Sequence, residues 1–215
     1  MDFVIEQRSL ILEGFWTTIR LAALSGAISL VLGTLLAVLR VGPVPPLRWA
    51  GAAYVTALRN TPLTLVFVFS TFGLPRLDVR LSFFTFAVIA LSAYTAAFVC
   101  ESVRSGINSV APGEIEAARA MGLRFGQTLR SVVLPQAFGA VIPPLTSVFI
   151  ALTKNTSIAV AFSVAEAASI LRRLQNQDAG ATFPLLFTTA AGYVVLTLAI
   201  SVAFRRLERR VAVVR

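Results

Sequence analysis

The stretch Pro112–Pro135, PGEIEAARAMGLRFGQTLRSVVLP, lies between two long apolar segments and decides how the rest of the chain is interpreted. Within it, Glu116-Ala117-Ala118 precede Gly122 by three residues, and Val132-Val133-Leu134-Pro135 begin nine residues further on. A proline suits a helix start, acidic side chains suit the first turn, and glycine accepts the left-handed backbone that ends a helix. The stretch therefore predicts a short helix over about 112–122.

One side of this predicted helix is thin, because its side chains there are alanines. Such a helix fits into a groove on a partner, with Met121 as an apolar contact and Glu116 as a polar anchor. Arg119 lies three residues after Glu116, a spacing that allows an ion pair on one helix face. The alternative is an ordinary amphipathic helix that lies on the membrane surface.

The composition of the 215-residue chain is typical of a membrane protein. Hydrophobic residues make up 57% and charged residues 13%, and the mean hydropathy is +0.82. The absence of histidine and the single cysteine, Cys100, exclude histidine-ligated metal sites, thiolate cages and histidine-dependent catalytic triads. We expect one membrane domain over 1–215, with no catalytic residues and no metal. Because the arginines flank apolar segments, the net charge of +9 does not indicate a nucleic acid partner.

Five apolar segments are long enough to cross a bilayer, which takes about 20 helical residues. Lipid offers the backbone no hydrogen-bond partners, so segments that touch it must be helical. The predicted fold is an all-α integral membrane protein with five transmembrane helices. Their expected bounds are about 15–39, 49–74, 81–103, 130–153 and 181–204.

The basic residues predict the orientation of these spans. Arginines within 40–48, 104–130 and 205–215 fall on one side, and fewer basic residues fall on the other. The positive-inside rule then places the N-terminus outside and the C-terminus in the cytoplasm. The segment 112–135 is cytoplasmic in this arrangement.

The segment 112–135 resembles the cytoplasmic Glu-Ala-Ala (EAA) loop of ATP-binding-cassette (ABC) importer permeases. Three further segments are similar to signatures of the polar amino acid branch of this family, which transports histidine, glutamine and glutamate. These segments are Arg59-Asn60-Thr61-Pro62-Leu63, Ala93-Tyr94-Thr95 with Glu101–Ile107, and Lys154-Asn155-Thr156-Ser157. The similarity extends from about Thr17 onward and is greatest to the glutamate-type branch. It implies the type I importer permease fold of a bacterial inner membrane protein.

The resemblance also implies a set of partners. These are ABC ATPase subunits, a second permease subunit that is homologous or identical, an extracellular or periplasmic binding protein, an amino acid substrate and the lipid bilayer. The only lysine, Lys154, does not follow a glycine-rich loop, so we expect ATP-Mg on the separate ATPase and no cofactor on this chain. The expected ATPase-coupling residues are Glu114, Glu116, Ala117, Ala118, Arg119, Met121 and Gly122.

A substrate pathway needs both charge signs and hydroxyl groups, because an amino acid carries an ammonium and a carboxylate. Ionisable groups within spans cost about 2.5–3.5 kcal/mol at the centre and so need a partner or an aqueous cavity. The expected pathway residues are Arg59, Thr61, Glu101, Arg104, Lys154, Asn155, Thr156 and Ser157.

Each charged pathway residue has a plainer interpretation. Lys154 would only extend to the outer interface, and Arg59 would fix the inner end of its helix by pairing with a carbonyl or carboxylate. Glu101 and Arg104 lie three residues apart and would pair with each other.

The expected substrate follows from Asn155, which stands where several relatives have an acidic residue. Without that carboxylate, a cationic substrate side chain loses a favourable partner. We expect an ATP-driven importer that works by alternating access on glutamate or a related polar amino acid. The alternative is an ion-coupled transporter or a channel without an ATPase partner.

Overall fold

A computed structural model describes residues 2–211, apart from the side chain of Asp2. The end of the arginine-rich tail, including Arg215, lies outside the described residues. The α-helices are α1 (Asp2–Glu6), α2 (Arg8–Val41), α3 (Pro45–Asn60), α4 (Leu63–Val68), α5 (Phe83–Asn108), α6 (Pro112–Ala120), α7 (Phe125–Thr128), α8 (Leu134–Asn155), α9 (Ala167–Gln177) and α10 (Thr182–Val211). Between them lie π-helical turns at Phe69–Gly73 and Leu129–Val133 and 3₁₀ turns at Leu74–Leu77, Thr156–Phe162 and Ala179–Ala181.

The described residues contain four helical stretches that are long and apolar enough to cross a bilayer. They are Arg8–Val41, Phe83–Asn108, Phe125–Phe162 and Ala179–Val211. A fifth span forms only if α3 and Leu63–Leu77 are taken together. The predicted all-α membrane fold is confirmed, and one of its expected spans is broken.

The expected span over 49–74 is a bent pair of helices and not one continuous helix. The chain turns through 106° between α3 and Leu63–Leu77. Thr61 is extended at the break (φ −101°, ψ 130°), because the ring of Pro62 disfavours a helical conformation in the residue before it. The Thr61 hydroxyl donates to the Ala57 carbonyl at 2.8 Å, which satisfies one of the acceptors left free at the end of α3.

Helices α2 and α5 pack against each other closely. A Cβ atom on Gly33 would lie 2.6 Å from the Cβ of Val99 and 2.7 Å from the carbonyl oxygen of Ala96, both on α5. Ser29 on α2 is fully buried, and its hydroxyl donates to the Gly26 carbonyl at 2.9 Å. Small residues therefore allow the two backbones to approach as they do in other membrane helix pairs.

A fully buried carboxylate, Glu166, joins three helices at the end of the bundle where α9 lies. It caps α9 by accepting hydrogen bonds from the backbone N–H groups of Ala168 at 3.0 Å and Ser169 at 2.8 Å. The Tyr193 hydroxyl of α10 donates to it at 2.9 Å, and the Thr18 hydroxyl of α2 at 3.4 Å. Burial raises the pKa of Glu166, because desolvation disfavours the charged form more than these donors stabilise it.

The raised pKa of Glu166 predicts a pH dependence of stability. Its contribution is fully present below the pKa of the unfolded chain and is lost as pH rises through the higher folded pKa. We expect the thermal unfolding midpoint of wild type, relative to that of Glu166→Gln, to fall as pH rises upward from about 4. Thermal scans of both purified proteins over pH measure this difference. A constant difference between the two midpoints would contradict the prediction.

Candidate functional site

One carboxylate on α5 lies among three guanidinium groups. Arg40 Nη1, in the last turn of α2, lies 2.5 Å from Glu101 Oε1, and Arg104 Nη2 lies 2.8 Å from Glu101 Oε2. Arg59 Nη1, in the last turn of α3, lies 3.6 Å from Oε1, an ion-pair distance too long for a hydrogen bond. Glu101 therefore pairs with Arg104 and with Arg59, as the plainer interpretation of each of these residues has it.

The Glu101 cluster, which consists of Glu101, Arg40, Arg59 and Arg104, holds α2, α3 and α5 together. The side chains of Glu101 and Arg40 are 20% and 16% exposed, whereas that of Arg59 is 45% exposed. One negative charge therefore faces three positive charges, and Arg59 is the most accessible of them. Sequence reasoning missed Arg40, because a contact between residues 61 positions apart leaves no local spacing to recognise.

A cavity of about 320 Å³ lies between α5 and α8. Asn155, at the end of α8, lines it together with Tyr94, Thr95 and Phe98 of α5. The Arg59 guanidinium carbon lies 5.6 Å from the centre of the Phe98 ring, within the range of a cation–π contact. Phe98 thus lies between the Glu101 cluster and the cavity.

The other expected pathway residues after α8 do not line this cavity. Lys154 is exposed and makes no ion pair within residues 2–211. Thr156 is fully buried, and its hydroxyl donates to the Thr153 carbonyl at 2.7 Å. The Ser157 hydroxyl donates to the Lys154 carbonyl at 2.8 Å. Of the Lys154–Ser157 segment, the structure brings only Asn155 to the cavity.

The short helix α6 ends where its sequence predicted. Gly122 has a left-handed backbone with φ +86°. Its N–H donates to the Arg119 carbonyl at 2.9 Å, and the Leu123 N–H donates to the Ala118 carbonyl at 3.1 Å, which together form a Schellman motif. The predicted helix stop at Gly122 is confirmed.

The side chains of α6 only partly match the expected arrangement. Glu116 and Ala117 are exposed and Met121 is 75% exposed, but Ala118 is buried against the protein. Ala118 is therefore not available to a partner in this structure. The expected pair of Glu116 with Arg119 is absent from the described ion pairs.

Glu114 connects α6 to α8 through a hydrogen bond that it accepts from the Gln136 side chain. Both residues line a cavity of about 850 Å³, which Glu208 of α10 also borders.

Pro143 and Pro144 lie inside α8 and leave the helix carbonyls four residues earlier without their usual donors. Polar groups therefore concentrate where α6, α8 and the end of α10 meet.

The fold and these motifs define a class of membrane protein. Residues 29–213 match the family described as the inner membrane component of binding-protein-dependent transport systems, and the chain belongs to that family.

Comparison with individual relatives narrows the class. The chain is 41% identical to the glutamate transport system permease protein GluC of Corynebacterium glutamicum over 94% of each protein. It is 36% identical to the probable glutamine ABC transporter permease protein GlnM of Bacillus subtilis over 98% of this chain and 97% of that protein. It superposes with a TM-score of 0.88 on a crystal structure of an amino acid ABC transporter with histidines, at 29% identity over 98% of this chain and 99% of that one. The chain is the non-catalytic permease component of an amino acid ABC importer.

The Glu101 cluster predicts a loss of stability when its carboxylate is removed. Glu101→Gln leaves three partly exposed guanidinium groups without a counter-charge, a cost between those of surface and buried pairs, or about 1–3 kcal/mol. We expect a lower thermal unfolding midpoint for the purified variant than for wild type. Glu116→Gln is the matched control, because Glu116 is exposed and outside the described ion pairs. Equal midpoints for the two variants would contradict the role of the cluster.

Proposed function

We propose that this chain forms the translocation pathway of an ATP-driven importer for glutamate or a related polar amino acid. It works by alternating access, in which ATPase subunits move the membrane helices between outward-open and inward-open arrangements. A second permease subunit, homologous or identical, completes the pathway, and an external binding protein delivers the substrate. The N-terminus lies outside and the C-terminus in the cytoplasm.

The geometry of α6 carries this proposal. It is a short helix with an exposed Glu116-Ala117 edge and an exposed Met121, and it ends in a left-handed glycine. The hydrogen bond between Glu114 and Gln136 gives it a direct connection to α8. A force applied to α6 by an ATPase would therefore reach a membrane-spanning helix. The proposed coupling residues are Glu114, Glu116, Ala117, Arg119, Met121 and Gly122, with Ala118 supporting the helix from its buried side.

The substrate pathway in this proposal runs past the Glu101 cluster and the cavity at Asn155. The half-exposed Arg59 has guanidinium donors beyond its pairing with Glu101, which suits the carboxylate of a passing amino acid. Asn155 gives the cavity an amide rather than a carboxylate. GluC and GlnM are named for glutamate and glutamine, and both names agree with an acidic or neutral substrate. Arg104 belongs to the Glu101 cluster, and the pathway roles of Thr61, Lys154, Thr156 and Ser157 rest on the family resemblance alone.

Gly122 provides a test of coupling with a close internal control. A Cβ at Gly122 or at Gly126 would meet no neighbouring atom within 4 Å, but only Gly122 has a positive φ. We expect Gly122→Val to insert and assemble but to lose most ATP-driven uptake, because a β-branched residue does not adopt the left-handed conformation. Gly126→Val should retain uptake.

The second coupling variant is Glu116→Lys, which reverses an exposed charge on α6 without touching a membrane span. We expect it too to retain membrane insertion and to lose coupling. The measurements are uptake in proteoliposomes and ATP hydrolysis by the assembled complex. Wild-type uptake in both Gly122→Val and Glu116→Lys would remove α6 from the mechanism. Transport by the chain alone, driven by an ion gradient, would replace the proposal with an ion-coupled transporter.

Asn155→Asp tests the substrate assignment with a side chain of the same size. A new carboxylate beside the cavity would repel an acidic substrate, and an interaction of about 1–2 kcal/mol corresponds to roughly a 10-fold rise in KM for glutamate. Uptake of labelled glutamate, with unlabelled arginine as competitor, measures the change. A wild-type complex that prefers arginine to glutamate would contradict the assignment.

A further inference from the structure

Helix α9 presents a wholly polar face to its surroundings. Ala167, Ile170 and Leu174 are buried, and the last two pack into a cluster that includes Leu185 of α10. The exposed residues of α9 are Arg172, Arg173, Asn176 and Gln177, which we call the basic face of α9.

The two arginines of the basic face have no carboxylate partner in the described part of the chain. They border an open depression of about 540 Å³ together with Asn176 and Gln177. Guanidinium groups that are exposed and uncompensated keep all their donors available to a carboxylate from another molecule.

The basic face stands on a fixed support. Glu166 at the start of α9 is fully buried and accepts hydrogen bonds from α2, α9 and α10. A surface held in one orientation loses little conformational freedom on binding, which favours association with a partner. The Glu166 contacts therefore join α2, α9 and α10 and also fix the position of Arg172 and Arg173.

The basic face also lies on the side of the membrane that carries fewer basic residues. In the proposed orientation α9 lies outside, where the positive-inside rule disfavours arginine. An anionic membrane surface does not explain it, because helices that lie in a membrane interface insert apolar side chains. The exposed residues of α9 contain none.

We propose that the basic face of α9 is a docking surface for the external binding protein, which contacts it through an acidic patch. This inference rests on the proposed function, since it requires an external partner and the proposed orientation. The family description, the membrane component of a binding-protein-dependent transport system, supplies that partner. The complementary chemistry on the partner is a cluster of aspartate and glutamate side chains that pairs with the two guanidinium groups.

The test uses the complete transporter complex in nanodiscs of neutral phosphatidylcholine. ATP hydrolysis is measured as purified, substrate-loaded binding protein is added. We expect the double variant Arg172→Glu with Arg173→Glu to need roughly 10-fold more binding protein for half-maximal stimulation at low salt, because reversed charges slow docking. The difference should shrink at high salt, where charges are screened. The control Arg172→Lys with Arg173→Lys keeps both charges and should stay close to wild type.

The outcomes separate this inference from the proposed function. If binding protein stimulates ATP hydrolysis equally in wild type and in the double variant Arg172→Glu with Arg173→Glu, the docking surface is overturned and the proposed importer function stands. Failure of binding protein to stimulate wild type would overturn the proposed function and the docking surface with it. Loss of complex assembly in the double variant, seen by gel filtration, would assign α9 to a contact between permease subunits instead. An effect confined to nanodiscs with anionic lipid would assign it to lipid headgroups.

Discussion

Charged groups inside an apolar bundle must find partners, because the uncompensated charge costs more than most single contacts provide. Two carboxylates meet this constraint in opposite ways. Glu101 is surrounded by guanidinium groups, whereas Glu166 accepts only from hydroxyls and backbone N–H groups. Helix α2 contributes to both, through Arg40 and Thr18, which about 33 Å of helix separates. This distance is close to the thickness of a hydrocarbon core, so the two carboxylates hold α2 at two points about one core thickness apart.

The structure divides into closely packed and interrupted parts. Helices α2 and α5 have no room for a side chain at Gly33 and so behave as one unit. The interruptions lie elsewhere, at the Thr61–Pro62 break, at the π-helical turn Leu129–Val133 and at the prolines within α8. Two of these lie between α6 and the far end of α8. In the proposed mechanism, motion received at α6 would be absorbed and redirected there, since π-turns and prolines are where helices change direction.

Local sequence signals were sufficient where structure is locally determined. The apolar lengths predicted the spans, and Gly122 predicted the end of α6, because each depends on a few neighbouring residues. The Thr61–Pro62 break also had a local signal, the residue before a proline, which the long apolar run obscured. By contrast, the Glu166–Thr18 contact joins residues 148 positions apart, and the burial of Ala118 depends on packing against the rest of the protein. No spacing in the sequence encodes either one.

The only thiol of the chain has a practical consequence. Cys100 of α5 is fully buried beside the Glu101 cluster, and its sulfur lies 3.7 Å from Arg40 Nη1. Thiol reagents react with accessible thiolates, so Cys100 would not react with them in the folded protein. A cysteine placed at any exposed position would then be the single reactive one. Spin labels and fluorophores could be attached to the otherwise native polypeptide without first constructing a cysteine-free background.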